Sequence, residues 1–330
     1  MPGVVLLHGP NGAGKTNLLE ALHVGTQGFS PRARRDAQMI RFGTEAARIT
    51  LSGSRGPNAF ETDVVLTRRE ARAVGLNGDR LESSERLRHE LTALVFTPDR
   101  LAVVKGAPAT RRAYHDRVVG RLLPARAKVA GEYTSAVGQR NAALRRIRAG
   151  HSTRDALAPW TEQIASLGQE LVRVRVEVVE LLAPVFAELA DALGLENALL
   201  TYEGAPPTID ELESRLDADI ERGLTGAGPH LHDLRIEAGG RDLRVFGSQG
   251  EQRIAVLSLV LAEAELLRSR TDVSPLVLLD DVLSELDGSR RLALADVITR
   301  NAQTVVTATA EGALPVPAAQ SLSVSPGRIE

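Results

Sequence analysis

Gly9-Pro10-Asn11-Gly12-Ala13-Gly14-Lys15-Thr16 follows the spacing GxxxxGK[ST]. That spacing states a chemistry. The glycines let consecutive backbone N–H groups curl around a phosphate, and a helix starting near Thr16 aims its positive end at the anion. Lys15 is placed to reach the β- and γ-phosphates, and the Thr16 hydroxyl to ligate Mg²⁺. The second half of such a site is a carboxylate that ends an apolar strand, and Leu276-Val277-Leu278-Leu279-Asp280-Asp281 has that form. Asp280 is expected to share the metal with Thr16, and Asp281, working with Lys15, to orient or deprotonate an attacking water. Context agrees: Val4–His8 reads as an apolar strand before the glycines, and Asn17–Leu22 as a helix after them.

A guanine reader of the form Asn-Lys-x-Asp is missing, because Lys105 follows Val104 and Lys128 follows Ala127, which favours ATP. Three further segments point the same way. Ser248-Gln249-Gly250-Glu251 opens an amphipathic helix ahead of the Asp pair, where ABC-type ATPases carry a signature loop. Ser284-Glu285-Leu286-Asp287 follows the Asp pair as a D-loop does, and Thr307-Ala308-Thr309 occupies the place of a switch histidine.

These segments, with Val95–Leu101, Val104–Pro108 running to Arg111-Arg112, Gly228-Pro229-His230 and Phe246–Arg253, resemble the RecF family of recombination mediators, which is related to SMC-type ATPases. The resemblance implies an α/β, ABC-type P-loop head with an inserted α-helical domain built as an antiparallel helical hairpin. It implies ATP and Mg²⁺ held in a homodimer, between the Lys15 loop of one copy and the Ser248 loop of the other. It also implies slow hydrolysis, DNA as partner (duplex, gapped or at a single/double-strand junction), and work with RecR to load RecA. The chain departs from the family where Leu231-His232-Asp233 replaces Arg-Asp-Asp, and in having no Q-loop glutamine near Phe96–Leu101. It also begins almost at the phosphate loop rather than with a strand-bearing segment, which is expected to leave a sheet edge unpaired.

Several elements must position these residues. Runs at Ala47–Leu51, Phe60–Thr67 and Ala71–Leu76, punctuated by Gly and Asn-Gly, read as antiparallel hairpins. From about Pro108 to Gly194 the pattern is helical, broken at Ala149–Thr153. A core seam runs through Trp160, Ile164, Leu167, Leu171, Val174, Val178, Leu181, Val185 and Leu189. An acidic helix is expected from Ile209 to Arg222, and a hairpin of Leu234–Glu237 with Leu243–Phe246. The domains are read as head (1–107), helical insertion (108–230) and head again (231–330).

Charge is nearly balanced overall, 40 basic against 42 acidic residues, but it is unevenly placed. Lys105–Gly150 carries eleven Lys/Arg against Asp116 and Glu132, a net of +9, whereas 151–230 carries five against fifteen, a net of −10. Basic and acidic helices facing each other would give this pattern, and so would a polyanion surface; on the second view Arg111, Arg112, Arg140, Arg145 and Arg146 are the phosphate contacts. The absence of cysteine excludes disulfides, thiolate metal sites and a cysteine nucleophile. No apolar run approaches the roughly 18 residues of a membrane span, and the start lacks a basic leader, so a cytoplasmic protein with no membrane partner is expected. An SMC-like structural tether, in which ATP serves only assembly, is the alternative to a repair ATPase. A P-loop kinase is disfavoured by the signature loop, a transporter subunit by the size of the helical insertion, and a nuclease fusion by the few residues after the last expected strand.

Overall fold

The computed structural model describes residues 3–33, 35–270, 274–300 and 303–330. They form two compact units. The first comprises residues up to Leu101, Ala192–Gly194 and residues from Val256 on; the second comprises Ala102–Asp191 and Leu195–Ala255.

The first unit opens with β1 (Gly3–His8), whose Val4, Leu6 and Leu7 are buried, followed by the phosphate loop and α1 (Lys15–Gln27). Four strands come next: β2 (Ala46–Arg55), β3 (Asn58–Thr67), β4 (Ala73–Leu76) and β5 (Asp79–Leu81), antiparallel and in sequence order. The expected Asn-Gly turn joins β4 to β5, with both residues left-handed (Asn77 φ 53°, Gly78 φ 87°). Val64 and Leu66 alternate inward against Val74, Leu76 and Leu87, the last on α2 (Ser84–Glu90), and the end of α1 closes this core through Val24. The edges of this sheet are β2 and β5. β6 (Ala93–Phe96) is wholly buried, as its four apolar residues require.

The second unit begins at α3 (Ala102–Lys105) and is dominated by α4 (Pro108–Leu122), α5 (Val129–Arg148) and α6 (Ala158–Ala192). The chain turns between α4 and α5 because Pro124 has no N–H to donate and holds Leu123 out of helical geometry (φ −127°, ψ 68°), so the expected hairpin gains a helix. On α6 the seam keeps Ile164, Leu171, Val174 and Val178 buried, then shifts to Leu182, Phe186 and Ala190 in place of Leu181, Val185 and Leu189. Ile164 and Leu182 lie five turns apart at about 3.6 residues per turn. The buried face of α6 therefore follows the 3.6-residue period of a helix packed on a globular core and not the 3.5-residue repeat of a coiled coil.

Beyond it lie β7 (Ala198–Glu203), α7 (Ile209–Ser214), α8 (Leu216–Arg222), β8 (Asp233–Ala238), β9 (Arg241–Asp242), α9 (Leu243–Phe246) and α10 (Gln249–Arg270). The expected acidic helix is divided at Arg215. The expected hairpin is corrected twice. Leu243–Phe246 is a helix, with Asp242 capping the N–H of Arg244, and β8 takes its long pairing from β7, Ala198↔Ala238 to Glu203↔Asp233. That ladder also draws 231–255 into the helical unit, so the packing boundaries fall at 101/102 and 255/256, not at 107 and 230.

The chain returns to the first unit with β10 (Leu276–Leu279), α11 (Gly288–Thr299), β11 (Gln303–Ala308), β12 (Gln320–Ser325) and β13 (Arg328–Ile329). β12 and β13 lie past the last strand expected from the sequence. The six-stranded sheet has the order β13-β12-β1-β11-β10-β6, parallel except for β13. β1 is therefore interior, and the loops after β1, β10 and β11 gather at the carboxyl ends of neighbouring strands, where α/β sheets bind ligands.

Candidate nucleotide-binding site

The phosphate loop joins β1 to α1. Gly9 has φ 155°, and a Cβ there would lie 2.2 Å from the Val324 carbonyl oxygen, so no side chain fits. Gly14 (φ 106°) caps α1 in a left-handed conformation; a Cβ there would meet nothing within 4 Å, so the loop faces open space. The first turn of α1 contains no acidic residue, which leaves its free N–H groups and positive end to an anion. Lys15 folds its ammonium onto the loop, donating to the carbonyls of Gly9 (2.7 Å) and Pro10 (2.9 Å).

Two strands away, Asp280 leaves β10 4% exposed. The hydroxyls of Thr16 (3.0 Å) and Thr307 (2.9 Å) both donate to its Oδ1. Thr307, at the end of the intervening β11, also accepts the N–H of Asp281 at 2.8 Å. Asp281 is exposed and has φ 51°, a conformation that a residue with a Cβ enters at a cost of order 1 kcal/mol. Among the described residues no group of three or more His, Asp or Glu side chains could hold a metal. The Thr16 hydroxyl and Asp280 carboxylate are nonetheless hard oxygen donors on one spot, the set Mg²⁺ takes when phosphate and water oxygens complete its shell.

The other expected residues divide between the units. In the first, Asp287 caps α11 by accepting the N–H of Arg290 (2.9 Å) and the Ser289 hydroxyl (2.7 Å); these donors hold its carboxyl below the usual range. Ser284 donates to the carbonyl of Asp281 at 3.1 Å. Thr309 is exposed. In the second unit, Ser248 starts α10 in a reciprocal cap: Glu251 N–H donates to Ser248 Oγ (3.2 Å), and Ser248 N–H donates to Glu251 Oε2 (2.7 Å). Hydrogen bonds from the Ser248 backbone N–H and hydroxyl hold the Glu251 carboxyl low. Gln249 and Gly250 are exposed beside it.

The arginines expected to meet DNA are mostly committed elsewhere. Arg111 is 3% exposed, paired with Asp233 (Nε–Oδ1 2.7 Å) and donating to the carbonyls of Val104 and Gly106. Arg140 is 1% exposed, bound to Asp219 (2.7 Å) and Thr225 (3.0 Å). Arg112 donates to the His232 carbonyl at 2.9 Å. Arg111 and Arg140 are corrected to structural residues, because a buried guanidinium engaged with a carboxylate is out of reach of a phosphate. Arg112 is half-buried and spends one N–H on the His232 carbonyl, which does not exhaust its five donors. Arg145 and Arg146 remain exposed.

Around these pairs the second unit holds a polar network absent from the sequence expectations. Arg175 forks onto Asp116 (2.8 and 2.9 Å) and donates to the Pro229 carbonyl (2.8 Å). Tyr202 meets His232 Nδ1 at 2.9 Å, and Tyr133 meets His230 Nδ1 at 2.8 Å. Burial, reinforced by the Arg175 charge, pushes His115 down to about 3 and His232 to about 4. Gly228-Pro229-His230 was the one sequence signal for this network.

Residues 1–324 match the family model described as RecF/RecN/SMC N terminal domain. The DNA replication and repair protein RecF of Heliobacterium modesticaldum is 36% identical over 323 residues, covering 94% of this chain and 87% of that protein. The solved structure of the recombination mediator protein RecF-ATP in the RecFOR pathway is similar with a TM-score of 0.86 and 25% identity, covering 100% of this chain and 91% of that one. An SmcHead crystallised with the C-winged helix domain of ScpA is similar at a TM-score of 0.59 and 18% identity, covering 98% of this chain and 86% of the other, a likeness of fold.

Proposed function

Since the chain belongs to the RecF family, we propose that it is a DNA replication and repair ATPase whose nucleotide is held by the phosphate loop and whose hydrolysis is directed by Asp280 and Asp281. The observation that carries this reading is the pair of hydroxyls, from Thr16 and Thr307, on one oxygen of Asp280 at the mouth of an open glycine loop. Lys15 would exchange its loop carbonyls for the phosphates, and Thr16 and Asp280 would hold Mg²⁺. Bound there, the ion would neutralise charge as the γ-phosphoryl is transferred to water. Asp281 is the exposed carboxylate that would orient that water.

Ser248, exposed at the start of α10, would exchange its hydroxyl contact with Glu251 for the γ-phosphate of nucleotide held by a second copy, so ATP would close a homodimer. DNA is the macromolecular partner, through exposed cations including Arg145 and Arg146, and RecR, with RecA downstream, is the protein partner; family membership supports these assignments.

Nucleotide affinity and turnover test the reading together. Lys15→Ala should weaken ATP binding by about 10–100-fold, the worth of one or two charge-assisted hydrogen bonds. Asp281→Asn should bind ATP like the parent while turnover falls about 100-fold or more. If Asp281→Asn turned over normally, the assignment of the water-orienting carboxylate would be wrong.

A further inference from the structure

We propose that Thr307 is a positioning residue for hydrolysis, its one hydroxyl holding the Asp280 carboxylate and the Asp281 backbone in place; this rests on the reading of the site as an ATPase. A switch residue at the end of β11 is expected to touch nucleotide. Thr307 is instead 1% exposed, with its hydroxyl engaged as both donor and acceptor. Its proton goes to Asp280 Oδ1 at 2.9 Å, and its lone pair takes the N–H of Asp281 at 2.8 Å. The two bonds are mutually enforcing, because a hydroxyl that donates to the carboxylate must turn a lone pair elsewhere, and the Asp281 amide lies there.

The backbone explains why such a tie is needed. Among the described residues, the non-glycine positions with positive φ are Asn77, Asn197 and Asp281. The first belongs to a hairpin turn, whereas Asp281 follows two residues after the buried parallel strand β10, where the chain would otherwise stay extended. Neighbouring residues of an extended strand face opposite sides, so two adjacent carboxylates cannot ordinarily serve one centre. The left-handed turn at Asp281 breaks that alternation, and the structure secures it at both ends of the residue. Thr307 takes its N–H, and Ser284 donates to its carbonyl at 3.1 Å. Asp280 is meanwhile fixed by a second donor, Thr16. Thr309, two residues farther on and exposed, takes no part in these contacts.

Thr307→Val removes donor and acceptor at nearly constant shape, and Thr307→Ser keeps both. Three readouts separate positioning from mere support of the fold: ATP turnover, nucleotide affinity, and hydrogen exchange at the Asp281 amide. Thr307→Val should lower turnover about tenfold or more and leave nucleotide affinity within about threefold, with Thr307→Ser restoring turnover. Added to Asp281→Asn, it should cost less than about twofold more, since it acts through that residue. The Asp281 amide should exchange about tenfold faster in Thr307→Val and not in Thr307→Ser. Parent-like turnover in Thr307→Val, losses that multiply in the double variant, or unchanged exchange would overturn the proposal. If the parent chain hydrolysed no ATP, the ATPase reading would fail by itself, and exchange at Asp281 would still judge the tie.

Discussion

His115 illustrates how a residue without a part in the chemistry still governs the conditions under which the protein stands. It is 2% exposed, its Nε2 has no hydrogen-bond partner, and the Arg175 charge lies nearby, so the ring stays neutral with its pKa pushed down to about 3. In the unfolded chain a histidine titrates near 6.5, so between about 6.5 and 3 the unfolded state binds the extra proton and stability is lost as pH falls. At pH 5 this one ring should cost about 2 kcal/mol relative to neutral pH. The partly exposed His232 acts in the same direction with a smaller effect. Thermal unfolding should therefore show a midpoint that drops from pH 7.5 to pH 5, and His115→Gln should flatten that slope. An equal slope in parent and variant would place the acid sensitivity elsewhere. At this scale the phosphate loop and the Asp pair were legible in the sequence, because both are contiguous segments whose chemistry follows from spacing. The hydroxyl bridge from Thr307 was not, because it joins residues 27 positions apart through strand register.

At the scale of elements, the 37 arginines acquire a reason. The guanidinium forks bidentately, and the second unit uses that geometry to fasten α4 to β8 through Arg111–Asp233 and α6 to α4 through Arg175–Asp116, while a single buried contact, Arg140–Asp219, joins α5 to α8. The basic and acidic segments thus largely neutralise each other, and the polyanion surface shrinks to what remains exposed. Two substitutions of the same type should part company on this account. Arg140→Ala strands the buried Asp219 and should destabilise the protein by about 3–5 kcal/mol. Arg146→Ala, on an exposed helix face, should change stability by less than about 0.5 kcal/mol. It should instead lower the salt-dependent part of duplex binding. Urea unfolding and a salt titration of DNA affinity check the pair. Periodicity made β1 and β10 legible to within a residue or two, since each carries one clear apolar pattern. It failed at Leu243–Phe246, where a short apolar run fits strand and helix equally and a capping aspartate decided the matter, and at β7, a strand whose alternation is short and whose partner lies more than thirty residues on.

For the whole molecule, the division of functional residues between two compact units matters most. Lys15, Thr16, Asp280, Asp281 and Thr307 assemble within one unit, while Ser248 caps a helix that starts in the other. A helical insertion that folds around its own ion pairs, with a 3.6-residue apolar face on α6 in place of a coiled-coil seam, is the build of a compact unit and not of a long tether. The family relation explains why the motifs occur in this order along the chain. The order itself was legible, but the unit boundaries were not, because the β7–β8 ladder that sets them pairs segments on either side of the second expected boundary. The most direct measurement is sedimentation of the purified chain with and without Mg-ATP, read together with duplex DNA affinity, for the parent and for Ser248→Arg. The account predicts that Mg-ATP converts the parent from monomer to dimer and tightens DNA binding in parallel, while Ser248→Arg binds ATP and stays monomeric. A parent that remains monomeric with ATP bound, or a Ser248→Arg chain that dimerises as the parent does, would contradict it.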